Sequence, residues 1–179
     1  VLSERTTEME WLLKVSSESV TGGDNGEIVG RLVGAAADRL GADVAALLVP
    51  EKRLTIIRHR RDAGASDSPA MLRRIGRGLL DWVRKHDRPL VVNKPGKSAA
   101  ADAFKILAVP VLHRHGRSAG ALVFLRAAGA PDFVRKHSYL ARHLSRQITA
   151  LLGTQFDLAT GLYTRPAWQS QAREQMREN

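Results

Sequence analysis

Two histidines beside a predicted turn are the residues best spaced for metal chemistry. His113 and His115 are two positions apart, so on a strand both imidazoles would lie on one face, a spacing that can chelate a metal ion. No third ligand is evident near them, and the other four histidines (His59, His86, His137 and His143) are scattered along the chain. The sequence therefore favours an exposed histidine pair in a hairpin, and it predicts no metal site.

Cysteine is absent from the whole chain. This excludes disulfides, thiolate metal ligands, cysteine nucleophiles and cofactors tethered through sulfur. No Ser/His/Asp arrangement, paired carboxylates or phosphate-binding glycine loop is present, and the glycines of Gly76–Gly78 indicate a helix entry. We therefore expect this region to have no cofactor and no catalytic activity.

The net charge of +10 is concentrated in residues 51–100, which hold 13 Lys/Arg against 5 Asp/Glu. Such an excess can attract nucleic acid, an anionic membrane or a phosphorylated ligand, or it can be a solvated coat. The charges lack the interleaved aromatic residues that stacking on bases would require. The solvated coat is the favoured interpretation, and nucleic-acid binding is not expected.

The hydrophobic pattern predicts an α+β domain. Helical spacing of apolar residues predicts helices over Glu8–Val20 and Glu27–Leu40, with Gly41 as a left-handed C-cap of the second. The runs "ADVAALLVP" and "RLTIIRHR" form a predicted hairpin, followed by a short helix, "GRGLLDWVRKH", and a brief strand, "RPLVVN". A second hairpin joins "ILAVPVLHR" to "SAGALVFLR" through a turn at Gly116, and Pro110 predicts an edge position or a bulge.

A long helix is predicted over residues 131–156, with two apolar stripes. One stripe consists of Phe133, Leu140, Leu144, Ile148 and Leu151, and the other of Val134, Ala141, Leu152 and Phe156. One stripe would pack on a sheet, and the second would pair with the same helix of another copy; alternatively, one broad face covers the sheet. On the first interpretation, Leu140, Leu144, Ile148 and Leu151 are dimer and signalling residues, and Leu144→Asp should disrupt a dimer.

The stretch "GRGLLDWVRKHDRPLVVNK" followed by "ILAVPVLHRHGRSAGALVFLR" resembles the core of a GAF domain. The resemblance covers about Glu8 to Leu152 and gives a predicted domain of residues 1–152. It implies a six-stranded antiparallel sheet flanked by helices, a possible ligand cavity on one face, and a sensory or dimerising role without catalysis.

The resemblance also implies a pocket lined by the region Arg73–Phe104 and the central strands. The side chains there with useful chemistry are Arg58, Arg60, Arg74, Arg77, Trp82, His86 and Lys94. Half-buried guanidinium groups would favour a phosphate or carboxylate ligand, whereas solvated arginines would bind nothing specific. The Asn-Lys motif of cyclic-nucleotide-binding GAF domains is not matched, since Arg126–Ala127 occupies its place after the last strand.

The stretch "DLATGLYTR" resembles the beginning of a GGDEF domain. Five residues match that family's opening motif: Asp157, Thr160, Gly161, Leu162 and Arg165. Three positions depart from it, namely Ala159, Thr164 and Arg173, and the last two replace residues that contact guanine in active cyclases. The resemblance implies that residues 153–179 are the end of a linker helix and the start of a degenerate GGDEF domain, of the kind that often precedes an EAL domain.

These observations together predict a cytoplasmic input domain of a cyclic di-GMP signalling protein. The chain starts at Val1 without an initiator Met or a signal peptide, so we expect a fragment of a longer cytoplasmic protein. The expected partners are a second copy, bound through the N- and C-terminal helices, a small-molecule ligand, and a GGDEF or EAL domain in cis. The alternative is a basic scaffold that binds nucleic acid or an anionic membrane.

Overall fold

The computed structural model describes residues 25–60, 68–94, 104–112 and 116–155. Its helices are α1 (Asn25–Arg39), α2 (Ser68–His86) and α3 (Arg135–Gln155), and its strands are β1 (Val44–Val49), β2 (Leu54–His59), β3 (Leu90–Val92), β4 (Phe104–Leu112) and β5 (Ser118–Ala127). A short 3-10 turn, Pro50–Lys52, joins β1 to β2. The predicted α+β class is confirmed, while the predicted helix Glu8–Val20 lies outside the described residues.

The five described strands form one antiparallel sheet in the order β2-β1-β5-β4-β3. The register places Leu47 opposite Leu122 and Leu107 opposite Phe124, so β5 lies at the centre between β1 and β4. The apolar runs of the sequence correspond to these five strands, whereas the expectation of six came from the family resemblance. A sixth strand is not seen in the described part of the chain.

Helices cover both faces of the sheet. Residues alternate along each strand, so Leu47, Leu107 and Phe124 pack on one face with α1 and α3. Val44, Val123 and Leu125 pack on the other face with α2. β1 is buried at all six positions because it has helices above and below it.

Two local predictions at chain turns are confirmed. Gly41 follows α1 with a φ of 57°, and the N–H of Ala42 donates to the carbonyl of Ala37 at 2.8 Å, which closes the end of the helix. Gly116 also has a positive φ, of 81°. The left-handed region is accessible to glycine without a steric penalty from Cβ.

The immediate surroundings of Pro110 agree with the predicted edge position or bulge. β4 as a whole is an inner strand, but its pairing with β3 extends only from Ile106 to Ala108. The nitrogen of Pro110 therefore has no sheet neighbour to bond on that side, and the register shifts between Val111 and Leu112.

Gly120 brings β5 close to β1. A Cβ at this position would collide with the carbonyl oxygen of Leu48 and lie 3.1 Å from the Cα of Val49. We expect Gly120→Ala to lower the free energy of unfolding by about 3 kcal/mol, because the backbones of β1 and β5 must move apart. Urea titration followed by circular dichroism measures the change.

Gly78 supplies the matched control for Gly120. It is an exposed position in α2, and a Cβ there would meet nothing within 4 Å. Gly78→Ala should raise the free energy of unfolding by about 0.5–1 kcal/mol, because alanine is the better helix former. A Gly120→Ala chain as stable as the wild type would contradict the close approach of the two strands.

Among the described residues, no helix is both long enough and apolar enough to cross a membrane.

Candidate functional site

The arginines predicted to line a pocket are not brought together. Arg74 and Arg77 are exposed on the solvent side of α2. Arg58 lies on the opposite side of the sheet, where its guanidinium covers α1 so closely that a Cβ on Gly30 would collide with it. Arg60 forms an ion pair with Asp43 at 3.3 Å at the end of β2. The anion pocket expected from these four residues is therefore not supported by their positions.

Trp82 and His86 form a small aromatic group at the end of α2. Their rings stack with centroids 4.3 Å apart, and Nδ1 of His86 bonds the carbonyl of Trp82 at 2.8 Å. The guanidinium of Arg88 lies 5.5 Å from the Trp82 ring. Lys94 is exposed just after β3. Because Trp82 also packs on the sheet beneath α2, this group supports the end of the helix.

The contact between α2 and the sheet is apolar in the described part of the chain. Small side chains from the sheet, namely Ala46, Ala108 and Ala121, pack there together with larger aliphatic residues. A ligand held there would be recognised by contact with apolar surface, not by guanidinium groups.

The four residues assigned to a dimer contact are mostly inside the chain's own core. Leu144 and Ile148 are 0% and 1% exposed, Leu140 is buried, and Leu151 is partly buried against the same cluster. The second stripe is also partly used by the core: Ala141 and Leu152 are buried, whereas Val134 is exposed. One broad face of α3 thus covers the sheet and α1, which corrects the assignment of these side chains to contacts between copies.

Arg126 is the residue that the sequence analysis missed. It is only 5% exposed although it carries a charge, and it lies at the end of β5 on the face covered by α1 and α3. Its Nε and Nη2 donate to the carbonyl of Leu40, and its Nη1 donates to the carbonyls of Pro131 at 2.8 Å and Asp132 at 3.1 Å. One guanidinium therefore joins the end of α1 to the loop that leads into α3.

The surroundings of Arg126 lower the pKa of its guanidinium overall, and burial is the largest cause. Burial lowers the pKa of its guanidinium, the carboxylates of Asp43 and Asp132 raise it, and the positive charge of Arg60 lowers it. The guanidinium also lies 4.2 Å from the centroid of the Phe133 ring, which gives it a cation–π contact. One sequence signal was available, because Leu122, Phe124 and Arg126 share the inward face of one strand.

Two more side chains bind the same loop, one from β4 and one from the residue that follows β3. Nζ of Lys105 donates to the carbonyl of Ala130 at 2.5 Å and to Oδ1 of Asp132 at 2.6 Å. Asn93 pairs with the backbone of Phe133 in both directions, as donor to its carbonyl and acceptor from its N–H, each at 2.8 Å. We call Asn93, Lys105 and Arg126, with the loop residues 130–133, the loop anchor. It fixes the start of α3 to the ends of β3, β4 and β5.

His137 completes the junction within the first turn of α3. Its Nδ1 accepts the N–H of Val134 at 3.0 Å, and its ring meets Phe133 edge-on with centroids 6.0 Å apart. Burial, followed by the positive charges of Arg126 and Lys136, lowers the pKa of His137 to about 4. The imidazole is therefore neutral at pH 7, as the accepted hydrogen bond requires.

The lowered pKa of His137 predicts a pH dependence of stability. Between pH 6.5 and 4 the unfolded chain binds a proton at His137 that the folded chain excludes, so the free energy of unfolding falls as the pH falls. We expect His137→Gln, whose amide oxygen can accept the same N–H, to remove roughly 2 kcal/mol of that loss. Urea titrations at several pH values measure the difference from the wild type, and His143→Gln, an exposed change on the same helix, should behave as the wild type.

The remaining candidate residues lie elsewhere. His113, His115 and the residues from Asp157 to Arg173 that resemble a GGDEF motif lie outside the described residues. In the ranges that are described, no group of three His, Cys, Asp or Glu side chains could hold a metal ion.

Comparison with known proteins gives one family. Residues 25–152 match the family model described as "GAF domain". No curated protein shows significant sequence similarity to the chain.

Solved structures share the fold at low sequence identity. The GAF domain of an Acinetobacter phosphoenolpyruvate-protein phosphotransferase has a TM-score of 0.63 and 17% identity, over 82% of this chain and 93% of that one. The GAF domain of a putative sensor histidine kinase from Pseudomonas syringae pv. tomato has a TM-score of 0.61 and 14% identity, over 85% and 89%. A GAF domain/HD domain protein from Geobacter sulfurreducens has a TM-score of 0.58 and 16% identity, over 74% and 95%. At such identities the similarity shows the fold alone.

Proposed function

The chain belongs to the GAF domain family, and we propose that it is a regulatory input domain whose state is transmitted through α3 to a following output domain. The relatives with this fold include GAF domains of a phosphotransferase and of a sensor histidine kinase, which suits a regulatory role. The proposal describes a cytoplasmic signalling module without catalysis of its own.

The loop anchor is the observation that carries this proposal. Arg126 and Lys105 belong to β5 and β4, Asn93 directly follows β3, and all three bind the few residues before α3. A shift of these strand ends would therefore move the start of α3, and the buried face of the helix would transmit the movement along its length. A ligand has this effect only if it binds two arrangements of the domain with different affinity.

The ligand that we propose is an apolar small molecule held between α2 and the sheet. Native mass spectrometry of freshly purified protein should show a retained compound. Ala108→Leu should expel it because a larger side chain on this face of β4 takes up room between the sheet and α2, whereas Arg74→Ala and Arg77→Ala should retain it because both residues face solvent. Loss of the compound in the arginine variants, with retention in Ala108→Leu, would favour an anion site and overturn the apolar one.

Because the chain has no cysteine, spin labels can be attached at chosen positions to measure a movement of α3. Cysteines introduced at the exposed positions Arg53 and Arg142 would carry spin labels across the domain. We expect the distance distribution between the labels to change when the retained compound is removed by unfolding and refolding. An unchanged distribution would argue against α3 as the transmitting element.

We propose that the output domain is a GGDEF domain, because residues 157–165 resemble the opening motif of that family. Because Thr164 and Arg173 replace the guanine-contacting residues, we propose a degenerate copy followed by an EAL domain. The test is an assay of the full-length protein for synthesis and breakdown of cyclic di-GMP. Rapid synthesis from GTP would show an active cyclase and contradict the degenerate copy.

Pairing of two copies is a further part of the proposal. Its contacts cannot be the side chains of Leu144 and Ile148, which the core already uses. Sedimentation of the purified chain over a range of concentrations tests whether a dimer forms.

A further inference from the structure

The solvent side of α3 carries a row of positive charges with one aromatic residue among them. The helix contains no acidic residue, and its exposed side includes Arg135, Lys136, Tyr139, Arg142 and Arg146. All but Lys136 follow one another at intervals of four, three and four residues, so they form a single line about 17 Å long. We call these five residues the basic face of α3.

The charge of the basic face is not neutralised by the part of the protein that the structure describes. None of its four cations forms an ion pair with a described carboxylate. The exposed cations of α2 differ, because Asp81 lies among them and Arg84 pairs with Glu51 at 3.5 Å. The basic face of α3 therefore attracts anions with less compensation than the basic side of α2.

The first turn of α3 is electrostatically unfavourable. Arg135 and Lys136 begin the helix, and no acidic residue lies in its first turn. A cation at this end is repelled by the positive end of the helix dipole, whereas an anion is attracted to it. An anionic surface beside the basic face would therefore offset a repulsion that the helix carries alone.

Tyr139 lies in the middle of the row and gives it an apolar element. Its side chain is 52% exposed, and its hydroxyl accepts a hydrogen bond from Nη2 of Arg135 at 2.9 Å. The guanidinium of Arg135 also lies 5.4 Å from the centroid of the tyrosine ring. Tyrosine is enriched where proteins meet a membrane surface, because its ring is apolar and its hydroxyl is polar. The basic face therefore has the composition that suits a layer of lipid headgroups.

Other anionic or helical partners fit the basic face less well. A second copy would bring four like charges opposite one another, so α3 does not pair with itself through these residues. A helix that enters the major groove of a duplex has phosphates on both sides, and neighbouring elements must contact them. The exposed charges of the neighbouring helix α1 cancel, being Glu27, Arg31, Asp38 and Arg39. The positive charge is thus confined to one line, which a flat anionic layer can contact along its whole length.

We propose that the basic face of α3 binds the surface of a membrane that contains anionic phospholipids. The three guanidinium groups would donate hydrogen bonds to lipid phosphates, and lateral movement of the lipids lets the phosphates match the spacing of the arginines. The contact is peripheral, because the apolar side of α3 stays in the core of the domain. It places the membrane on the helix that we propose as the transmitting element, but the binding itself does not rest on that function.

Co-sedimentation of the whole chain with vesicles tests this proposal. The probes are phosphatidylcholine vesicles with and without phosphatidylglycerol, and the wild type should bind only the anionic ones. Each cation near an anionic surface strengthens binding about fivefold, so Arg142→Gln with Arg146→Gln should weaken it about thirtyfold. Raising the salt from about 0.05 M to about 0.5 M should also weaken binding, because exposed charges are screened.

The matched control removes the same charge from the other side of the sheet. Arg74→Gln with Arg77→Gln changes two exposed arginines of α2 and should weaken vesicle binding by less than about threefold. Equal weakening by the two pairs of substitutions, or equally tight binding to neutral vesicles, would overturn the proposal. So would binding to a short DNA duplex through Arg142 and Arg146 without binding to anionic vesicles, because the face would then serve nucleic acid. Circular dichroism checks that both variants fold, as exposed substitutions should.

Discussion

Replacing Arg126 by methionine is expected to lower the free energy of unfolding by about 3–5 kcal/mol. Methionine fills much of the volume but donates no hydrogen bond. The carbonyls of Leu40, Pro131 and Asp132 would then lose their shared donor in a largely buried place. Urea titration at pH 7 measures the loss.

Two control substitutions distinguish the contribution of the Arg126 hydrogen bonds from a general effect of its charge. Arg126→Lys keeps the charge but lacks the planar fork of five donors, so it should recover only part of the stability. Arg117→Met removes an exposed arginine just before the same strand and should change the stability by less than about 0.5 kcal/mol. Equal losses at Arg126 and Arg117 would show that the hydrogen bonds of Arg126 contribute little.

The Arg126 variants also test the coupling of α3 to the sheet. Hydrogen exchange of residues 133–140 in Arg126→Lys should increase more than exchange in β1. The reason is that Arg126 binds the loop before α3, whereas β1 keeps its pairing with both neighbours. Uniform acceleration in both regions would mean that the change is global and not confined to the junction.

Leu144→Asp should prevent stable folding of the chain. Leu144 is fully buried between α3, the sheet and α1, so the carboxylate would be placed in the core without a partner. We expect a loss above about 4 kcal/mol, comparable with the whole stability of many domains of this size. Circular dichroism and thermal unfolding of the purified variant measure it.

The matched control is Arg142→Asp, two positions earlier on the exposed side of α3. It should fold normally, because its side chain faces solvent. Had Leu144 served a contact between copies, as its apolar stripe suggested, the aspartate would give a folded monomer. A folded and monomeric Leu144→Asp chain would therefore restore that interpretation and contradict the core position described above.

Much of the architecture follows from the sequence itself. The change from helical spacing to short apolar runs located α1, all five described strands, the second half of α2 and most of α3, and Gly41 and Gly116 marked two chain turns. The predicted helix entry at Gly76–Gly78 was wrong, because α2 begins at Ser68 and both glycines lie inside it. The other predictions succeed because they rest on local physics: side-chain periods of 3.6 and 2 residues, and the freedom of glycine at positive φ. The family resemblance rests on the same ordered landmarks.

The site could not be predicted in the same way, because it depends on which side of an element faces the core. Arg74 and Arg77 lie on a helix next to an apolar face, but only the packing of α2 shows that they point to solvent. The stripe that contains Leu144 was compatible with a contact to a second copy, but in the structure α1 and the sheet bury it. The strand pattern places Arg126 on the inward face, but only the fold shows that its guanidinium bonds the carbonyl of Leu40, 86 positions away. Periodicity along the chain is determined locally, whereas burial and long-range hydrogen bonds are decided by the tertiary structure, since both require residues that are distant in sequence to meet.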